Sequence, residues 1–398
     1  MKEIVAGLQV NATNCAFSFF ETVKGMGHRI VEHGIVEAPI GTCWDIFNVN
    51  AADAVNKKFI EFENRHKVKI KKIIYVVPLE KLKRIDGRAQ MVLHPRSSRQ
   101  VSVLSVEKLM EQARLLSVDW HYRSVHSFPY EYKLDGKVFT TPPLGIYGRK
   151  FEVKSYFYAL DNDYMINLDS FFQYMGRKYS DVAASSLCEI SFFDQDTLKR
   201  GNLALLNLGL SGSEVSLYKG FALVDIKVFD CKDIIVDEVL SSSLNVPVEM
   251  AKELMMSYGA FTEEDGLRGN TIYLEVGGRK IEIAHAKLCS VLSDYYGRRL
   301  SLISDYLKEK EEEIAIDDVY IMGGWTSVAG AQSLAQRYFR YPVSLPSFCS
   351  LYEQNQPAAN VASSGAVFFA KSRFNFSNAY SLSNRLWTSI RNIWEEYF

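Results

Sequence analysis

Cysteine is scarce and scattered. Cys15, Cys43, Cys188, Cys231, Cys289 and Cys349 include no C-x-x-C pair, which speaks against a zinc site or a disulfide framework and for buried thiols in a reducing compartment. The seven histidines do not stand at ligand spacing with cysteines or carboxylates, so no metal centre is expected. Charge of one sign is also missing. The formal net charge is -1, which leaves no bulk attraction to nucleic acid. No run of about 18 apolar residues occurs, so no membrane-spanning helix is expected. The opening MKEIVAGLQVN breaks at Gln9 and Asn11, too early for a secretory leader. No credible nucleophile or acid–base pair stands out. These absences leave a cytosolic protein without nucleic-acid partners, metal centre or obvious catalytic group.

What is present is an ordinary globular composition, 47% hydrophobic and 23% charged over 398 residues, with room for two or three domains. Ile4–Phe20 has apolar and β-branched runs around a polar turn and predicts a β-hairpin with Asn11–Asn14 at its tip. Arg29–Glu37 predicts the next strand. Ala51, Ala52, Val55, Phe59 and Phe62 recur at helical spacing. Ile70–Val77 predicts a further strand, so a mixed α/β sheet follows. Pro78–Gly148 changes character, with Arg and Lys clusters, a helix at Val106–Leu116, strand runs in Arg123–Leu134 and a turn-rich close, and predicts an inserted subdomain. Phe151–Leu160 predicts a strand and Leu168–Arg177 a helix. Asn202–Ile226 then repeats the opening theme. Leu203–Leu208 is apolar, Gly209–Ser213 is a tip of small residues, and Glu214–Tyr218 returns, which implies two related halves. Pro247–Tyr258 predicts a helix, Ile272–Val276 and Lys280–Ile283 a hairpin, Ala286–Glu313 a long helix. Val319–Met322 predicts a strand, Ala331–Arg340 a helix, and Ala358–Ala370 the last helix of the body.

The end of the chain differs again. Lys371–Asn384 is polar and turn-rich, a tether in composition. In Arg385–Phe398, at about 100° per residue, Leu386, Trp387, Ile390, Ile393, Trp394, Tyr397 and Phe398 share one arc of roughly 140°. Polar residues fill the remainder. Trp and Tyr rings favour the membrane–water interface. The segment is too short to span a bilayer, and is expected to lie on it as an amphipathic helix.

Paired hairpins, a strand, Gly323-Gly324, Gly330 and a following helix resemble the actin/sugar-kinase/Hsp70 superfamily. Ser124–Tyr132 (SVHSFPYEY) with Pro143-Leu144-Gly145, the run Tyr320–Pro346, and the tether with its amphipathic tail together resemble the FtsA family of bacterial cell-division proteins. The resemblance implies an α/β, actin-like fold of two ribonuclease-H-like domains. It sets one domain at 1–77 and 151–198, an FtsA-type insertion at 78–150, and a second domain at 199–370 with a small subdomain at 240–315. A linker at 371–384 and a membrane helix at 385–398 follow.

The same resemblance implies a cleft for ATP and Mg²⁺ between the two tips. Its candidate contacts are Asn11 and Thr13, Gly209, Ser211, Gly212 and Ser213, and Gly323, Gly324 and Trp325, the last able to stack on adenine or fill the cleft. The departures weaken that cleft. Where the family has an acidic residue, then Gly and Ser/Thr, this chain has Gln9, Asn11 and Ala12. Where the family has D-I-G-G-G-T-x-D, it has Asn207 through Glu214. Leu210 then puts a side chain where phosphate oxygens approach backbone N–H groups, and Gln9 and Asn207 carry no charge for Mg²⁺. Glu214 and Glu189 are the remaining carboxylates. The lysine facing adenine aligns with Met255, one turn from Lys252. Arg298 and Arg299 lie where the family receives the acidic C-terminal tail of FtsZ, with Tyr295 nearest the usual arginine. The expectation is an adaptor tying the FtsZ ring to the inner face of the membrane at the division site, self-associating into filaments. The alternatives are a working ATPase of this fold and a pilus-type actin-like scaffold.

Overall fold

A computed structural model describes residues 2–346 apart from 11–13, 24–26, 38–47, 95–96, 191–192, 194–200, 209–211, 221, 231–235, 263, 265, 267–269 and 277–278. The helix expected at Ala358–Ala370, the tether and the amphipathic tail lie outside the described residues. The chain divides into two units, one built on Met1–Phe192 and the other on Phe193–Gly220 and Asp225–Ala359.

The first unit starts from the expected hairpin. Lys2–Val10 and Asn14–Val23 pair antiparallel, Val10 opposite Cys15, and Gly27–Glu37 adds on the outside. Lys72–Val77 and then Asp181–Ala184 join in parallel on the other side of Lys2–Val10. The central strand is apolar on both faces, and Ile4 through Leu8 are buried, as in a sheet covered on two sides. Asn48 caps the helix Val49–His66 by accepting from the Ala51 N–H at 3.0 Å, satisfying one orphan donor. Its buried stripe is the one the spacing predicts, and Phe62 stacks on Phe19 with centroids 4.1 Å apart. Burial pushes the Cys15 thiol up to about 12, which keeps it inert at neutral pH.

Helix Asn162–Tyr174 packs beside that first helix, and Arg177 just after it clamps the pair. Its guanidinium donates to both carboxylate oxygens of Glu63 at 3.1 and 2.9 Å and to Asn56 Oδ1 at 3.0 Å. Burial raises the Glu63 carboxyl, but Arg177 and the Ile70 N–H outweigh it and leave it below its ordinary value of 4.5. The clamp therefore contributes above the ordinary Glu range and is lost as pH falls through the lowered value. Arg177→Ala leaves a half-buried carboxylate with only the Ile70 N–H as partner and is expected to cost about 1–2 kcal/mol at neutral pH. Urea unfolding checks this, and the gap to wild type should narrow in acid.

The inserted subdomain is a four-stranded sheet in the order Lys83–Val92, Lys150–Asp161, Tyr122–Leu134, Lys137–Phe139, all antiparallel. Asp135 and Gly136 have φ of 49° and 86°, both in the left-handed region that a two-residue hairpin turn requires. Helix Val103–Ser117 opens with a Ser102–Ser105 capping box and buries Val106, Leu109 and Ala113 against Tyr132, Phe151, Val153 and Phe157. Strand Lys150–Asp161, which the sequence reading returns to the first domain, is the second strand of this sheet. The insertion is therefore a folded body that runs past residue 150. It is tied back to the core where the Ala184 N–H donates to His126 Nε2 at 3.0 Å.

The second unit repeats the first sheet's order. Ala222–Asp230, Gly212–Lys219, Asn202–Leu208, Asp318–Met322 and Val343–Ser344 follow one another across it. Asn202–Leu208 is antiparallel to its hairpin partner and parallel to Asp318–Met322, with Asn207 opposite Met322. The smaller part of this unit carries helices Val236–Leu244 and Val248–Tyr258, the hairpin Thr271–Val276 and Arg279–Ala284, and the long helix His285–Lys310. Lys310 anchors that helix to the sheet through Asp225 at 3.0 Å.

Candidate functional site

The Gly-Gly loop is built by strand Asp318–Met322 delivering Gly323 onto the end of Asn202–Leu208. Gly323 has φ 100° and ψ 172°, a region open only to glycine. A Cβ there would sit 2.4 Å from the Leu208 carbonyl oxygen and 2.7 Å from Asn207 Oδ1. The loop therefore needs glycine to press against the second hairpin. Gly324 differs, since a Cβ on it would meet nothing within 4 Å. A one-turn helix Gly324–Ser327 follows, closed by Thr326 Oγ1 donating to the Gly323 carbonyl at 2.7 Å. Gly330, at φ 83°, then starts helix Ala331–Tyr338.

Trp325 does not face open space. It is 1% exposed. Its indole N–H donates to the Met322 carbonyl at 3.0 Å, and the ring packs on Tyr296 and Phe261, each with centroids 5.7 Å away. The ring is therefore taken up by the interior of its own unit. Tyr296 and Phe261 come from the distant small part of the unit, so no local pattern at Trp325 signals this.

Around the second hairpin, Ser213 is fully buried and its hydroxyl has no hydrogen-bond partner among the described residues. Glu214 is half-buried and opposite Asn207. Gly209 and Ser211 lie outside the described residues, and of Gly212 only its place at the start of the return strand is described. In the first unit Gln9 is half-buried on the central strand, while Asn11 and Thr13 lie outside the described residues. Glu189 is buried in the short helix Ser185–Ile190 that follows Asp181–Ala184. Lys252 is exposed on helix Val248–Tyr258 with Met255 half-buried one turn on. Burial pushes the Asp237 carboxyl above its ordinary value, an effect that the charge of Lys252 partly offsets. Among the described residues no group of three His, Cys, Asp or Glu side chains could hold a metal ion. Gln9 and Asn207 each carry an amide and so offer no carboxylate charge to a Mg²⁺ ion.

The structure separates the two arginines. Arg298 is exposed on helix His285–Lys310, but Arg299 is 5% exposed. The Arg299 guanidinium lies 4.4 Å from the Tyr295 ring centroid and donates to its hydroxyl. An arginine enclosed in this way is a packing element, and Arg298 alone presents its charge to solvent. The i, i+4 spacing of Tyr295 and Arg299 on one helix is the signal that identifies the pair.

Comparisons with known proteins agree with this architecture. The family described as "SHS2 domain inserted in FTSA" matches residues 82–158, the extent of the inserted sheet. The chain is 21% identical over 250 residues to the cell division protein FtsA of Pseudomonas aeruginosa, covering 62% of this chain and 60% of that protein. It is 22% identical over 274 residues to FtsA of Escherichia coli K12, covering 66% of this chain and 65% of that protein. Both matches span less than two thirds of the relative. FtsA of Buchnera aphidicola subsp. Baizongia pistaciae matches at 17% over 99% of this chain and 97% of its own length. Among solved structures, the PilM-PilN type IV pilus biogenesis complex superposes with a TM-score of 0.60 at 12% identity, covering 94% of this chain and 98% of that one. MreB 5 of Spiroplasma citri bound to AMPPNP gives 0.51 at 10%, covering 95% and 99%. These two carry the fold, which is that of the actin-like ATPases.

Proposed function

Taking as premise that the chain is an FtsA-like protein with an FtsA-type SHS2 insertion in an actin-like body, we propose that it acts in cell division as an adaptor. It ties FtsZ to the inner face of the membrane. The observation that carries this reading is the SHS2 insertion, since the bare actin-like fold serves many tasks. The amphipathic tail supplies the membrane contact, and Arg298 is the described cation of the former pair open to an acidic FtsZ tail. The deciding experiment is recruitment of FtsZ to vesicles by the full-length chain. The adaptor reading requires that FtsZ reach the vesicles only when this protein is present.

Arg298→Glu is expected to weaken an FtsZ tail peptide several-fold, more so at low salt. Arg299→Glu is expected instead to destabilise the second unit by burying a new carboxylate among Tyr295 and Tyr296. Fluorescence anisotropy with the peptide and thermal unfolding separate the two outcomes. Equal loss of binding without unfolding in both variants would restore the paired site.

In the same reading nucleotide binds weakly or not at all, and its hydrolysis is negligible. The adenosine end retains an open approach over Gly324, but the phosphate end lacks the carboxylates that would hold Mg²⁺. Titration with a fluorescent ATP analogue should give weak binding unaffected by Mg²⁺, and phosphate release at the buffer rate. Mg²⁺-dependent micromolar binding would favour the working-ATPase alternative. The SHS2 insertion favours division over the pilus-type scaffold.

A further inference from the structure

The inserted sheet has an edge that no described strand covers. Lys83–Val92 pairs with Lys150–Asp161 on one side and has no strand on the other. A long edge of this kind presents a row of backbone donors and acceptors ready for another strand. Gly87 and Ala89 are buried beneath the helix, while Asp86, Arg88 and Gln90 face solvent. Arg88 stands opposite Lys154 in the sheet register. Like charges directly opposite destabilise a pair. Lys154 has its counter-ion, Glu131, 2.9 Å away on the far side, whereas Arg88 makes no ion pair among the described residues. Asp86 is 65% exposed and, among the described residues, pairs only with Arg84, at 3.4 Å.

We propose that a second copy of this chain covers this edge, its Lys83–Val92 running antiparallel across a two-fold axis with Gly87 opposite Gly87. Outward backbone groups recur at every second residue, so a symmetric partner joins only in registers that match like parity. Charge then selects among those registers. Asp86 opposite itself sets carboxylate against carboxylate and Arg84 against Arg88. Arg88 opposite itself repeats the conflict. A register centred on Ile85 opposes Arg84 and Asp86 but leaves Arg88 through Val92 unpaired. A register centred on Ala89 makes no charge pair. Centring on Gly87 sets Asp86 against Arg88 twice, Arg84 against Gln90 and Ile85 against Ala89, and uses the strand from Lys83 to Met91. Each Arg88 then lies between Lys154 of its own sheet and a carboxylate of the other copy.

Sedimentation equilibrium of the full-length chain, its Asp86→Arg and Arg88→Asp variants, and the double exchange tests the pairing. Asp86, Arg88 and Gln90 are solvent-exposed and Arg84 is half-buried over Tyr156, so matched thermal unfolding is used to confirm that each variant, Arg84→Cys included, remains folded. The wild type should dimerise in the micromolar to high-micromolar range, as small interfaces do. Each single variant should weaken the dimer about tenfold or more, and the double exchange should restore it. Oxidation of an Arg84→Cys, Gln90→Cys protein should yield a crosslinked peptide joining those positions between copies. A monomeric wild type, single variants that associate as the wild type does, or a double exchange that stays weak would each overturn the proposal. So would an edge that pairs with a foreign peptide while the chain stays monomeric. None of these readouts involves FtsZ or lipid, so their failure is separate from that of the adaptor reading.

Discussion

Truncation after Asn384 is expected to abolish co-sedimentation with lipid vesicles, and Trp387→Glu with Trp394→Glu to do nearly the same in the full-length chain. At helical spacing the two tryptophans, Phe398 and four further apolar or aromatic side chains are expected on one face, and their burial would offer several kcal/mol at roughly 25 cal/mol per Å². Ordering the helix offsets part of that gain. Arg385 and Arg391 are balanced in charge by Glu395 and Glu396, which leaves little net attraction to anionic lipid. Binding should therefore respond strongly to the tryptophans and weakly to salt. One tail is a marginal anchor, so clustering several copies should raise vesicle affinity by avidity. A truncated body that pellets as well as the intact chain would remove the membrane half of the adaptor.

The largest stability effect is expected at Gly323. Gly323→Ala forces a side chain into a glycine-only region and drives its Cβ to within 2.4 Å of the Leu208 carbonyl oxygen. Backbone strain and overpacking together are expected to cost about 3–5 kcal/mol. Gly324→Ala, one residue on, meets nothing within 4 Å and should change stability by less than about 1 kcal/mol. Urea midpoints at constant slope read both. Equal losses would mean that Gly323 does not press on the second hairpin. A Gly324→Ala variant that keeps its stability but loses nucleotide affinity would separate the loop's structural duty from its binding duty.

The elements legible in the sequence are those whose periodicity carries the signal alone. The stripe Ala51, Val55, Phe59, Phe62 and the apolar runs of both hairpins are of this kind. Lys83–Val92 is not, because its buried positions are Gly87 and Ala89. A Cβ at Gly87 would lie 2.4 Å from Phe157, so this position takes glycine, and in the sequence the strand shows only as part of the Arg and Lys clusters. Val236–Leu244 and Asp181–Ala184 are short and are fixed by partners far along the chain. In the candidate site, Gly323 is legible because its backbone conformation demands glycine. The burial of Trp325 and Arg299 is decided by Tyr296 and its neighbours, information that a linear reading of the loop does not contain.

The repeated sheet order also sets a schedule for synthesis. In each unit the central strand meets its antiparallel partner almost at once, through a local hairpin. Its parallel partner arrives much later. Lys2–Val10 waits only for Lys72–Val77, but Asn202–Leu208 waits until the small subdomain is complete and Asp318–Met322 emerges. During that interval the nascent second sheet carries a bare apolar edge of Leu203, Leu205, Leu206 and Leu208. Closure of such distant pairings is slow, and exposed edges are where growing chains misassociate. The second half of the molecule is therefore the part that most needs shielding on the ribosome, and slowing translation just before Asp318 should lower the yield of folded protein.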